Sequence, residues 1–238
     1  MKRSELKPKI ANAVITAAGY GTRMGFDKLF TPLGESGIPL LAVTLRAFEN
    51  CALIRGVVVV TRSERIADTN AIRKAYGLSK ITHILTGGET RSESVQTGLY
   101  ALAADTDIAV IHDGARPLVT PKLIANVILD ASVHGAAIAA IPVSDTVKHV
   151  MNGSVKRTVP RKTLYRAQTP QAFEPGLIKA ALHSASENDT ALTDDAEAAE
   201  ILGFPVKITE GERANIKITY PEDLIFAEAY LERLGNAR

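Results

Sequence analysis

Cysteine is almost absent from this 238-residue sequence. The single Cys51 cannot close a disulfide within the chain or supply a cysteine-based zinc site, and it reads as a small buried apolar residue of a cytoplasmic protein. Excess charge is missing too. With 28 lysines and arginines against 26 acidic residues, a net charge of +2 creates no field that would gather nucleic acid, so any basic chemistry has to be local. No apolar run reaches the roughly 20 residues of a membrane span, so no membrane partner is expected. The basic segment Met1 to Lys9 runs into an apolar stretch that Asn12 interrupts and glycines soon follow, unlike a signal peptide. Repeats, low-complexity tracts and linkers are lacking, and 46% hydrophobic content suffices for one core, so residues 1–238 are read as one domain.

Some catalytic signatures are missing as well. The phosphate loop of ATPases needs a glycine-lysine-serine or threonine triplet, and the chain has none. The five histidines are scattered without ligand spacing, which leaves His112 a packing or hydrogen-bonding residue, and no histidine–acid–nucleophile set is apparent.

What is present is an alternation of strand and helix. Ala11 to Ala17 is a short apolar strand, and Leu40 to Phe48 has helical spacing. Val57 to Val60 is a β-branched run suited to a strand buried on both faces. Helix around Glu64 to Tyr76, strand at Ile81 to Leu85, helix near Ser94 to Ala104 and strand at Ile108 to Ile111 follow. Pro121 to His134 reads as helix and Ala136 to Val143 as strand. Such crossovers predict an α/β fold with a mostly parallel, twisted sheet and helices on both faces. Between residues 144 and 169 the periodicity fails and basic residues alternate with β-branched ones, which predicts a projecting β-arm. Helices at Gly176 to Ser186 and Asp194 to Leu202, an extended Val206 to Thr209 and a last helix from Thr219 complete the chain, with Thr219 and Glu222 spaced as a capping box.

The first strand runs straight into Ala17-Ala18-Gly19-Tyr20-Gly21-Thr22-Arg23-Met24-Gly25-Phe26-Asp27-Lys28. Glycines at 19, 21 and 25 allow a tight fold that turns backbone N–H groups toward an anion, and Arg23 and Lys28 add positive charge, which suits a triphosphate. A dinucleotide site would want an acidic residue after the next strand, which ends instead in Thr61-Arg62, although Arg62 could serve a 2′-phosphate.

This segment resembles the opening of nucleotidyltransferases that activate sugars and sugar alcohols. Six further motifs occur in order: Gly87-Gly88-Glu89-Thr90-Arg91-Ser92-Glu93-Ser94-Val95, His112-Asp113-Gly114-Ala115-Arg116-Pro117, Asp145-Thr146-Val147-Lys148, Ala167-Gln168-Thr169-Pro170-Gln171, Thr193-Asp194-Asp195 and Asn215-Ile216-Lys217-Ile218-Thr219. Together they resemble the 2-C-methyl-D-erythritol 4-phosphate cytidylyltransferases of the non-mevalonate isoprenoid route. Gly114 stands where that family more often has alanine.

The resemblance implies a single Rossmann-like nucleotidyltransferase domain that transfers CMP from CTP to a sugar-alcohol phosphate. It implies catalytic roles for Lys28 and Lys217 at the α-phosphate and for Arg23 on the outer phosphates. Ala17, Ala18, Gly19, Gly21, Gly88, Ser94 and Asp113 would bind CTP, and Arg116, Thr146, Arg161, Thr169 and Thr193 the acceptor. Magnesium would be held mainly by the CTP phosphates, with Asp113 near it. The arm would deliver Thr146 and Arg161 to a second subunit, making a homodimer, and the chain is too short for the extra domain of the family's bifunctional fusions. Three alternatives stay open: a ribitol 5-phosphate cytidylyltransferase, an NADP-dependent oxidoreductase using Arg62, and a non-catalytic nucleotide sensor.

Overall fold

The computed structural model describes residues 9–19, 24–34 and 37–236. In chain order the elements are β1 (Ala11–Ala17), β2 (Pro32–Leu33), β3 (Ile38–Pro39), α1 (Leu40–Glu49), β4 (Ile54–Thr61), α2 (Ile66–Ala75), β5 (Ile81–Thr86) and α3 (Arg91–Tyr100). They continue with β6 (Ile108–Asp113), α4 (Pro121–His134), β7 (Ala136–Pro142), β8 (Val147–Met151), β9 (Ser154–Val159), β10 (Tyr165–Phe173), α5 (Pro175–Glu187), α6 (Asp195–Ile201), β11 (Lys207–Glu210) and α7 (Pro221–Asn236).

Seven strands form the central sheet in the order β11-β7-β10-β6-β1-β4-β5, and every pairing in it is parallel except the two made by β10. Period-two alternation divides the core between its faces. Ala13, Ile15, Val57, Val59 and Val110 pack toward α1, α4 and α7, while Val14, Val58, Val60 and Ile111 pack toward α3, α5 and α6. The continuous valine run of β4 is thus the signature of a strand with helices on both sides.

Local chemistry fixes several helix ends. Thr120 accepts from the Leu123 amide at 3.0 Å and Pro121 fills the first turn of α4, whose far end stops at Gly135 with a φ of +81°. α3 begins at Arg91, three residues before the expected start, because Thr90 and Glu93 form a reciprocal capping box. The capping box expected of Thr219 and Glu222 does not form. Instead Asp223 takes the amides of Thr219 and Tyr220 at 2.7 and 2.8 Å, and α7 starts at Pro221.

The arm exists but is shorter than the 144–169 expected. β8 and β9 pair antiparallel as a separate two-stranded sheet, turning through Asn152 and Gly153 at positive φ. From Tyr165 the chain rejoins the central sheet as β10, antiparallel to β7 and β6. The mixture of Arg166, Gln168 and Thr169 looks unlike core because this part of β10 lines a polar mouth. No helix among the described residues is long and apolar enough to cross a membrane.

Candidate active site

After β1 the chain builds outward through β4 and β5, then returns to lay β6 on the other side of β1. Such a reversal opens a crevice at the C-terminal ends of the two strands, where ligands of open α/β sheets bind. β1 delivers Ala17, Ala18 and Gly19 to this point, and β6 delivers Asp113. The two ends are tied by the Gly114 amide donating to the Thr16 carbonyl at 2.9 Å. Gly114 fits closely: a Cβ there would lie 2.9 Å from that same carbonyl.

Asp113 is buried and surrounded by cations. Its carboxylate lies 3.1 Å from Lys217 Nζ, 3.3 Å from Arg116 Nε and 3.5 Å from Arg91 Nε. Burial opposes ionisation, but Lys217, then Arg91 and Arg116, outweigh it and hold the carboxyl well below the usual carboxylate range. Arg91 is itself braced by buried Asp195, which accepts two bonds of 2.9 and 2.7 Å in a parallel fork. Burial works against its charge as well, yet Asp195 and Asp113 together keep the guanidinium firmly protonated.

Arg91 and Asp195 were both within quoted motifs, but sequence reasoning gave neither a role. The threonine-x-x-glutamate at 90–93 was the available signal. It starts α3 at residue 91 and so aims Arg91 into the mouth.

Lys217 does not lie on a strand, as its neighbours Ile216 and Ile218 suggested. Residues 215–219 belong to no strand and are held by specific bonds instead. Arg116 Nη1 and Gln168 Nε2 donate to the Asn215 carbonyl at 2.9 and 3.1 Å, Asn215 Nδ2 donates to the Thr169 carbonyl at 2.8 Å, and the Ile218 amide donates to Ala115 at 2.8 Å. Lys28 opens a short 3-10 turn and donates from Nζ to the Ile218 carbonyl at 2.6 Å. Two lysines 189 positions apart in the chain are therefore brought to the same short segment, at the side of the Asp113 carboxylate.

The small residues expected around a base also gather. A Cβ on Gly87 would meet Ser94 Oγ at 2.5 Å and Ala18 Cβ at 2.8 Å, so the ends of β1, the Gly87–Gly88 turn and the first turn of α3 are in contact. Gly88 is equally confined, a Cβ there falling 2.4 Å from Glu93. Among the described residues, nothing lies within 4 Å of where a Cβ on Gly19 would sit. Gly21 and Arg23 lie outside the described residues.

Thr169 is buried, and its hydroxyl is used beneath the site. It accepts from the Asp113 amide at 3.1 Å and meets His112 Nδ1 at 2.9 Å. The Nε2 atom of His112 faces the Arg116 carbonyl at 3.4 Å, which requires a proton on Nε2 and leaves Nδ1 to accept from Thr169. Burial pushes His112 down to about 3, so it is neutral at physiological pH and serves as a strut, as its scattered setting suggested.

Thr193 donates from its hydroxyl and amide to Glu197 at 2.8 and 2.6 Å, completing the start of α6 beside Asp194. Thr146 and Arg161 are exposed at the base of the arm, where Arg161 donates to the Ser144 carbonyl. Among the described residues of one chain, neither is bonded to the Asp113 cluster. Arg62, the residue a 2′-phosphate would need, is engaged by Asp27 and by Glu64 at 3.1 Å, so it bolts the glycine loop to the end of β4.

Among the described residues no three histidine, cysteine or acidic side chains gather as a metal site. The arrangement is instead a switch-point mouth with fixed cations around one buried carboxylate and a floor of small residues. Such a mouth can bind and polarise polyphosphate.

Comparisons with known proteins agree with this geometry. The family model for IspD, 2-C-methyl-D-erythritol 4-phosphate cytidylyltransferase, matches residues 11–233. The cytidylyltransferase of that name from Pelotomaculum thermopropionicum is 45% identical, over 92% of this chain and 93% of its own, and that from Syntrophus aciditrophicus is 42% identical over 96% and 98%. A crystal structure of 4-diphosphocytidyl-2C-methyl-D-erythritol synthase from Anaerococcus prevotii superimposes with a TM-score of 0.84 at 34% identity, covering 95% of this chain and 97% of that one. The chain belongs to the 2-C-methyl-D-erythritol 4-phosphate cytidylyltransferase family.

Proposed function

We propose that this chain transfers CMP from CTP to 2-C-methyl-D-erythritol 4-phosphate, forming 4-diphosphocytidyl-2-C-methyl-D-erythritol and pyrophosphate for isoprenoid precursor synthesis. The observation that carries this reading is that Lys28 bonds the carbonyl of Ile218, next to the Lys217 that pairs with Asp113, in a chain of that family. An oxygen of the acceptor phosphate forms a bond to the α-phosphorus of CTP. The bond from that phosphorus to the β-phosphate oxygen breaks, and pyrophosphate leaves with the electron pair. The nucleophile is already ionised at neutral pH, so no general base is required, and the protein's task is positioning and charge stabilisation.

In this reading Lys28 and Lys217 flank the α-phosphate, their ammonium groups exchanging present carbonyl and carboxylate partners for phosphate oxygens. Asp113 holds Lys217 ready, and Arg91 with Asp195 holds Asp113. Arg23 grips the outer phosphates and the Gly19–Gly25 backbone turns N–H groups to them. Ala17, Ala18, Gly88 and Ser94 shape the base site, where backbone carbonyls facing the cytosine amino group would reject uracil. Arg116 and Thr193 border the acceptor, and Thr169 acts through His112 and Asp113.

Magnesium fits this mouth as an ion carried on the triphosphate. Asp113 would lend it a carboxylate oxygen, the remaining ligands being phosphate oxygens and water, since three cations already face that carboxylate. When bound, the ion neutralises phosphate oxygens.

The arm carries Val150, Met151 and Val155 exposed on a two-stranded sheet separate from the central one. This supports a homodimer in which the arm brings Thr146 and Arg161 to the partner's acceptor site. Lone, buried Cys51 supports a cytoplasmic setting.

A pyrophosphate-release assay with all four nucleoside triphosphates, against methylerythritol phosphate and ribitol 5-phosphate, tests the proposal. Release is expected with CTP and methylerythritol phosphate. Preference for ribitol phosphate or for another nucleotide overturns the assignment.

A further inference from the structure

Lys28 is anchored at its tip and at its root. At the tip, Nζ donates to the Ile218 carbonyl at 2.6 Å. At the root, Lys28 opens the 3-10 turn Lys28–Phe30, which follows directly on Asp27. The Asp27 carboxylate meets two arginines from the turn after β4: one of its oxygens accepts from Arg62 Nη2 and, at 2.8 Å, from Arg65 Nε. The Arg65 guanidinium also stands 4.8 Å from the centre of the Phe30 ring. Arg65 therefore spans the turn, gripping the residue before Lys28 and the residue that closes it.

The clasp has a firm base. Arg62 follows Thr61, which lies opposite Ala17 in the β1–β4 pairing and accepts from the Gly87 amide at 2.8 Å. The Arg65 amide donates to the Arg62 carbonyl at 2.9 Å, so both arginines leave one short turn at the end of the sheet. Other features hold the root less well. Gly25 enters it at a φ of +69°, a conformation that glycine permits but does not enforce. Leu29 is buried, yet apolar packing has no direction. Nor does the clasp offer excess charge to a polyphosphate. Arg62 also faces Glu64 at 3.1 Å and Arg65 faces Asp68 at 2.6 Å, so two arginines meet three carboxylates. What it supplies is geometry.

That geometry becomes decisive when Lys28 exchanges the Ile218 carbonyl for a phosphate oxygen, because the tip gives up its anchor and the root governs where the ammonium lies. We infer that Asp27, held by Arg62 and Arg65, is a positioning residue that aims Lys28 at the α-phosphate. The inference rests on the proposed reaction. A misplacement of about 1 Å in a reacting geometry costs up to about a hundredfold in rate.

Initial rates of pyrophosphate release with magnesium–CTP and methylerythritol phosphate test the assignment in the wild type, Asp27→Ala, Lys28→Ala, the double variant and the control Arg55→Gln. Arg55 makes a similar but exposed pair with Asp105 at the opposite end of β4, and its variant should keep kcat within about twofold. Asp27→Ala is expected to lower kcat about tenfold, with the acceptor KM within about twofold of wild type. In the Lys28→Ala background the same change should lower kcat by less than about twofold, because the group it aims is gone. A further tenfold loss in the double variant overturns the inference, as does wild-type kcat in Asp27→Ala. If urea unfolding shows Asp27→Ala to be poorly folded, Arg65→Gln opens the clasp from the other side and is read in the same cycle, with the same outcomes.

If the wild type releases no pyrophosphate with either polyol phosphate, the proposed reaction fails instead. Thermal shift with inorganic triphosphate then decides the clasp. Stabilisation that Asp27→Ala weakens in the wild type but not in Lys28→Ala upholds it. Equal weakening in both backgrounds, or no response in the wild type, overturns it.

Discussion

The mouth of the central sheet and the projecting arm are both rich in basic residues, but the structure uses them in opposite ways. At the mouth, Arg91 and Arg116 are largely withdrawn from water and held by Asp195, Asp113 and the Asn215 carbonyl. On the arm, Lys148, Lys156, Arg157, Arg161 and Lys162 are all exposed, and the bonds that Lys148 and Arg161 make are to Thr158 and the Ser144 carbonyl. A charge fixed in a low-dielectric site acts with little reorganisation, whereas an exposed one is screened and loses side-chain entropy when it binds. The mouth's charges are fixed within one chain, and under the proposed homodimer the arm's charges would gain a fixed role against a partner.

The most severe break should come at the two lysines. Lys28→Ala or Lys217→Ala is expected to lower kcat by about a hundredfold or more, the scale of losing one preorganised charge stabiliser. Turnover near wild type in either would remove the mouth from the chemistry. Asp195→Asn is the next largest test. It removes the charge that braces Arg91, and disrupting a buried pair of this kind costs about 3 kcal/mol in urea unfolding. The KM for CTP or kcat should worsen with it. Unchanged activity would make Asp195 a purely structural residue. On the arm, Lys156→Gln should move stability by less than about 0.5 kcal/mol and leave the KM for CTP unaltered. A loss like that of Asp195→Asn would erase the contrast between the two regions.

Short-range rules set element boundaries where nothing in the tertiary structure competes with them. β1 and α4 have the boundaries their sequences predicted, because an apolar run ends at a glycine loop in one case and a threonine, a proline and a glycine bracket the helix in the other. Errors came where a local pattern met a tertiary demand. Ile216-Lys217-Ile218 alternates like a strand but pairs with none; Arg116 and Gln168 donate to the Asn215 carbonyl before it, and the Ile218 amide donates to the Ala115 carbonyl. Residues 165–169 carry too many polar groups to resemble core, yet they belong to β10, whose residues 165–167 pair with β7 before the register breaks. The Thr169 hydroxyl bonds the Asp113 amide and His112, a placement that no spacing along the chain encodes.

By itself the sequence determined the alternation of strand and helix, the glycine loop, the arm and the residue types able to meet a polyphosphate. All of these follow from periodicities and backbone preferences that operate over a few residues. Only the tertiary structure decided which charges meet. Lys28, Arg91, Asp113, Asp195 and Lys217 belong to five separate stretches, and their pairing is set by the strand order around β1 and by what burial requires. A carboxylate withdrawn from water has to be neutralised by whatever cations the fold brings within reach.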